Sequence, residues 1–153
     1  MELADLVQED VVTVSLEDSI LDVAEVFRTE GVGSAVVVNP DGEPFGIVTD
    51  RDLAVYGQNF ADSLERTPVN EILSMSMFSV EPDVSVPELT ARMREESVRR
   101  VPVVDDGDLV GIVTLDDIVV GLADELDSQP LRDLAAVIEA ESPRRPENAT
   151  DGD

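Results

Sequence analysis

The chain has 153 residues, enough for a proper core, and 42% of them are hydrophobic, which excludes a disordered polyanion. Asp and Glu number 35 against ten Arg, with no Lys, His or Cys, for a net charge of −25; disulfides, thiolate metal sites and His-based catalysis are excluded, and nucleic acid, which needs a basic face, is not an expected partner. No apolar run approaches the ~20 residues of a membrane span, and the acidic start Met1-Glu2-Leu3-Ala4-Asp5 is unlike a secretory signal, so the expected location is the cytoplasm.

Taken in chain order, the elements come twice. The first copy opens on Leu3, Asp5 and Leu6, followed by a short strand, Val11–Val14. Ser19, with Asp22 three positions later, is an N-cap signal. It opens a helix whose apolar face is Ile20, Val23, Ala24 and Phe27. Ser34–Val38 reads as a buried strand, and Asp41-Gly42 as a tight turn into Phe45–Val48, giving an antiparallel hairpin. Thr49 then ends the strand and starts a helix over Asp50–Tyr56.

After a linker at 61–68, the same order returns: Val69, Glu71 and Ile72, a strand at Met77–Val80, and a helix capped by Ser85 with Glu88 and an early Pro87. Its face is Val86, Leu89, Thr90 and Met93; strands at Val101–Val104 and Val110–Val113 and a helix over Leu115–Leu126 follow. The displacement is 66 residues from Thr13 to Ser79 and 65 from Thr49 to Thr114, so one residue is lost near Pro40, in a turn, where deletions are cheapest. Each copy parses as β-α-β-β-α. The expected organisation is a first unit at 1–60, the linker at 61–68, a second unit at 69–126, a C-terminal helix at 127–141 and a disordered tail at 142–153. The C-terminal helix carries Leu131, Leu134, Ala135 and Ile138 on one face. Alone it is marginal, so it is expected to dock on the module or on a second copy. Asn148-Ala149-Thr150 fits a glycosylation pattern, which a chain without an export signal does not use.

Two phrases carry the candidate chemistry: Gly46-Ile47-Val48-Thr49-Asp50-Arg51-Asp52 and Gly111-Ile112-Val113-Thr114-Leu115-Asp116-Asp117. In each, a strand feeds a helix N-terminus where free N–H groups converge, which suits an anionic ligand. An ionised carboxylate can accept from both cis hydroxyls of a ribose. Thr-x-x-Asp is equally a plain helix cap, worth about 1 kcal/mol without any ligand. Acids such as Asp50, Asp52, Asp116 and Asp117 could also hold Mg²⁺, although clustered acids in so acidic a chain are usually solvated surface.

With the Thr13-Val14 and Ser79-Val80 strands, Arg100-Val101-Pro102-Val103-Val104-Asp105 and the duplicated Gly-Ile-Val-Thr-x-x-Asp phrase, the chain resembles a tandem pair of CBS (cystathionine β-synthase) domains, a stand-alone Bateman module. The resemblance spans residue 1 to about 125. It implies an α/β (α+β) fold of two β-α-β-β-α units packed with pseudo-twofold symmetry, with adenosine-containing ligands (AMP, ADP, ATP or S-adenosylmethionine) bound in the clefts between them. It implies Asp52 and Asp117 as ribose ligands and Thr49 and Thr114 as phosphate-side hydroxyls. Val12, Thr13, Phe78 and Ser79 would flank adenine, and Arg100 would reach phosphate. The first copy departs from the pattern: Gly33-Ser34 stands where the second has Arg99-Arg100, so Arg51 would be its compensating cation beside Ser34. The two clefts are therefore not expected to be equal. Which copy's first strand faces which signature is open.

The expected function is a non-enzymatic regulatory module, acting as a homodimer, that signals to an unidentified protein partner in trans. The alternative is a ligand-free dimerisation or adaptor protein that works through its C-terminal helix. No cofactor is required. The acidic, lysine-free composition resembles that of an extreme halophile's cytosolic protein, since molar salt cuts the Debye length to about 3 Å and screens the self-repulsion.

Overall fold

The computed structural model describes residues 1–73 and 78–141. They divide into two compact units that do not follow the order of the sequence halves: one holds residues 12–73, the other residues 1–11 with 78–141.

The unit at 12–73 contains β1 (Thr13–Ser15), α1 (Ile20–Glu30), β2 (Ser34–Val38), β3 (Pro44–Thr49) and α2 (Asp50–Tyr56). Ser19 caps α1 by accepting from Asp22 N at 3.0 Å, and Gly31 ends it in the left-handed conformation at φ 64°, the usual glycine solution at a helix C-terminus. β1 lies parallel to β2, and β2 antiparallel to β3, with Ser34 opposite Thr49. The hairpin loop is organised by Asn39, whose Oδ1 accepts from Asp41 N and Glu43 N. The segment expected to be a linker is tied to the start of α1. Ile20 N donates to Thr67 O (2.9 Å), Val69 N donates to Asp18 O (2.7 Å), and Thr67 is buried.

The other unit repeats the plan with α3 (Val86–Glu96), β4 (Arg100–Asp105), β5 (Asp108–Thr114) and α4 (Leu115–Glu125), and adds α5 (Gln129–Glu141). Ser85 caps α3, and Ser97 at φ 56° stands where the first unit has Gly31. The β4–β5 turn is made by Asp106 (φ 49°) and Gly107 (φ 89°), a two-residue hairpin turn with both central residues at positive φ. The longer Asn39–Glu43 loop of the first hairpin holds the extra residue that shifts the repeat from 66 to 65. The strand expected at Met77–Val80 is reduced to one parallel bridge, Val80 to Val103; Met77 lies outside the described residues.

The lead-in segments are exchanged. Leu3 and Leu6 pack into the core of Val80, Leu89, Met93, Val101, Val113 and Ile118. Val69 and Ile72 pack into the core of Val14, Val23, Phe27, Ala35, Val37 and Val48. Both signature glycines make room for these segments. A Cβ at Gly111 would lie 2.3 Å from Val7 Cγ1 and 2.8 Å from the Gln8 carbonyl oxygen, whereas one at Gly46 would meet Leu73 Cδ1 at 3.3 Å. Gln8 closes the contact by pairing with Ile112, N–H to C=O in both directions, at 2.9 and 3.0 Å.

The C-terminal helix docks on its own unit, α5 against α4. Ala135 is buried, with Leu131 and Ile138 half-buried beside it. Leu134, expected on that face, is 54% exposed and shares the outer face with Val137 at 55%. A helix of this length with apolar residues at both i+3 and i+6 has two candidate seams, and the small Ala135 allows the closer approach. The tail at 142–153, with Asn148-Ala149-Thr150, lies outside the described residues. Among the described residues, no helix is long and apolar enough to cross a membrane.

Candidate functional site

Both signatures fold as reciprocal caps. Thr49 Oγ1 accepts from Asp52 N at 3.2 Å while Thr49 N donates to Asp52 Oδ2 at 2.9 Å. Thr114 Oγ1 likewise accepts from Asp117 N at 3.1 Å, and Thr114 N donates to Asp117 Oδ2 at 2.9 Å. In the second copy the hydroxyl also donates to Asp117 Oδ2, at 2.7 Å. These bonds satisfy first-turn N–H groups that no helix can pair internally. They also fix each carboxylate in one rotamer at the mouth of its helix.

The two carboxylates differ in what else they hold. Asp117 Oδ1 accepts from the Gln8 side-chain amide at 2.7 Å. Among the described residues, Asp52 accepts only from Thr49. The lead-in of the first sequence half thus meets the signature of the second. A groove of about 560 Å³ runs beside this contact, lined by Asp5, Gln8, Asp116, Asp117, Asp124 and Glu139. Ile138 of α5 completes its wall, and among the described residues no Arg lines it. Arg99 lies 3.5 Å from Asp116, an exposed pair of the kind that contributes little.

The remaining candidates are distributed as follows. Arg100 stands opposite Thr114 across the β4–β5 ladder, so the two share a face of the hairpin. It is half-buried and has no ion pair among the described residues. Ser34 holds the matching place opposite Thr49. Arg51 is exposed one residue before Asp52, with its N–H donating to Asp50 Oδ1 at 2.8 Å. Thr13 is exposed at the start of β1, and Val12 packs against the core of its unit. Phe78 packs against its own core, and the Arg92 guanidinium lies 5.1 Å from its ring centroid, within cation–π range. Ser79 instead lines a different groove, of about 680 Å³, with Glu81, Asp83, Glu88, Arg92 and Asp106. Phe78 and Ser79 therefore face features other than the Asp117 groove.

Gln8 was missed in the sequence. Its only signal is its place two residues past the Leu3–Leu6 lead-in, and a polar residue there reads as surface. The Mg²⁺ alternative finds no ligand set, since no three carboxylates among the described residues converge as a metal site would require.

Comparison with known proteins agrees with this architecture. The CBS domain family matches residues 3–58 and 69–124. An uncharacterized protein of Methanopyrus kandleri is 36% identical over 118 residues, covering 76% of this chain; the chain spans 60% of that protein's length. The crystal structure of Hypoxic Response Protein I with two coordinated zinc ions superposes with a TM-score of 0.68 at 28% identity, over 77% of this chain and 96% of that one. The CBS domain pair crystallised with 5′-methylthioadenosine and S-adenosyl-L-methionine gives 0.68 at 25% identity, over 82% and 98%. With two matched repeats, an α+β fold shared with these pairs and an added C-terminal helix, the chain belongs to the CBS domain family as a tandem CBS pair.

Proposed function

We propose that the chain is a regulatory module that binds an adenosine-containing ligand at its second Thr-x-x-Asp signature and signals to a protein partner in trans. The observation that carries this reading is the Asp117 carboxylate, held by Thr114 on one oxygen and turned toward a groove of about 560 Å³ on the other side. Once the exposed Gln8 amide that donates to its second oxygen moves aside, a carboxylate so placed accepts from the two hydroxyls of a ribose. A related CBS pair was crystallised with two ribose-containing ligands, which supports the same chemistry here.

The charge of the groove bears on which ligand is taken. With five acids and no Arg among the described residues lining it, Coulomb repulsion disfavours ATP, ADP and AMP, and favours a neutral nucleoside or the cationic S-adenosylmethionine. A phosphorylated ligand would have to extend toward Arg100, beside Thr114. The module acts as a cytoplasmic homodimer without catalysis of its own. Ligand binding changes its state only to the extent that the two states differ in affinity.

The test is thermal unfolding in molar KCl with S-adenosylmethionine, AMP and ATP on wild type, Asp117→Asn and Asp52→Asn. Asn retains an acceptor for the cap, so the variant isolates the lost charge. A ligand at ~100 times its dissociation constant adds about 2.7 kcal/mol. The expected outcome is a shift with S-adenosylmethionine that Asp117→Asn abolishes and Asp52→Asn leaves in place. No shift with any ligand would sink this reading.

A second reading, a ligand-free adaptor, draws on one observation: α5 carries Leu134 and Val137 outward, more than half exposed. If that face is the working surface, Leu134→Glu with Val137→Glu abolishes self-association in light scattering while unfolding is unchanged.

A further inference from the structure

The Asp117 carboxylate is nearly full. Oδ2 accepts from Thr114 N and Thr114 Oγ1, and Oδ1 accepts from Gln8 Nε2 at 2.7 Å. A carboxylate offers about four acceptor positions, so about one is left. A ribose diol brings two donors. One existing donor must leave, and the three are not equal. Thr114 N–H belongs to the part-buried cap of α4. The same cap holds the Thr114 oxygen, which accepts from Asp117 N, 2.7 Å from Oδ2, so that side of the carboxylate stays occupied even if the hydroxyl proton turns away. The Gln8 side chain is exposed, and its backbone is held separately by the pair of bonds to Ile112. Its amide can swing into water with the strand in place.

Resting on the adenosine reading above, we infer that Gln8 is the affinity-setting residue of this site: its amide occupies the ribose position on Asp117 and is displaced by the incoming diol. Gln8 lowers affinity for any ligand that needs both acceptor positions and spares ligands that need one. It also makes the copies unequal, because among the described residues Asp52 has no such occupant. The first signature has the open carboxylate, and the second is gated by an internal competitor. An amide held to a carboxylate is a charge-assisted bond, yet its loss is offset by the water the freed amide gains, so the net effect on binding is modest.

The experiment is calorimetric titration in molar KCl with adenosine, 2′-deoxyadenosine and 3′-deoxyadenosine, all uncharged, on wild type, Gln8→Ala and Gln8→Asn. Asparagine is one methylene shorter and lacks the reach of Gln8. The expected result is adenosine binding tightened about three- to tenfold in both variants, with little change for the two deoxynucleosides, each of which keeps one hydroxyl of the 2′,3′-diol. Equal or weaker adenosine binding in the variants would overturn the inference while leaving the adenosine reading standing. Adenosine binding by none of the three proteins would overturn both. Gln8 is exposed and its backbone bonds are retained, so both variants are expected to melt with the wild type.

Discussion

Gly111 lacks a side chain because another segment occupies the space, and its fellow in the first copy shows what a milder version looks like. At Gly111 an alanine methyl would meet the Gln8 carbonyl oxygen at 2.8 Å, a backbone atom that cannot rotate away. Gly111→Ala is expected to destabilise by about 1–3 kcal/mol through overpacking and to loosen the Gln8–Ile112 bridge. At Gly46 the nearest atom is the end of Leu73, at 3.3 Å. Alanine there regains ~0.5–1 kcal/mol of backbone entropy, which offsets the tight contact. Urea midpoints of the two variants should therefore differ clearly. Thr114→Val keeps the shape and loses the cap; it should cost about 1 kcal/mol with no ligand present. This penalty must be subtracted before any binding role is assigned to Thr114.

Among the elements, α5 is the one whose role rests on placement alone. Only Ala135 of it is buried, so ending the chain after Asp127 should lower stability by ~1–2 kcal/mol for the half-buried Leu131 and Ile138 and leave the sheet intact. Circular dichroism would show a small fall in melting temperature. The same truncation removes Ile138 and Glu139 from the Asp117 groove. The first turn of the chain, Leu3–Asp5, has its own tether, the Met1 amino group 2.9 Å from Glu125 Oε1. That bond raises the amino group's pKa above its usual 8.0. A group raised on folding stabilises fully below its unfolded pKa and stops doing so as pH climbs through the folded value. Amide exchange at Leu3–Asp5 should accelerate above about pH 8 by more than the intrinsic rate, and Glu125→Gln should remove that dependence.

At the scale of the molecule, the net charge of −25 sets the conditions under which any of this is measured. We expect the chain to lose secondary structure as KCl is withdrawn, because repulsion that a ~3 Å Debye length screens at molar salt reaches roughly 30 Å at 0.01 M. Full ellipticity in salt-free buffer would refute that. What the sequence disclosed, and what it hid, divide by range. Caps at Ser19, Thr49, Ser85 and Thr114 and the two hairpins were legible because their signals lie within a few residues. The Gln8–Asp117 bond joins residues 109 apart, and no local pattern announces it. The exchange of Leu3 and Leu6 for Val69 and Ile72 was hidden for the same reason: the two lead-ins are alike, so each fits either core. The signature residues sit at one helix mouth in each unit, and Ser79 lines a different groove of its own unit from the one at Asp117.

The exchange of lead-ins has a consequence for the order in which the protein can be made. Leu3 and Leu6 leave the ribosome before residues 12–73, yet Val113 and Ile118, which cover them, emerge more than a hundred residues later. At the usual pace of synthesis that is on the order of 5–20 s. Residues 12–73 have their whole core in hand by then and can fold on the ribosome, while the opening segment waits as an unsatisfied apolar stretch. Closing so long a loop costs little extra in equilibrium terms, but it slows folding. The last event in folding should therefore be the docking of the first eleven residues, bringing Gln8 to Asp117. The proposed binding site would be the final thing the nascent chain completes.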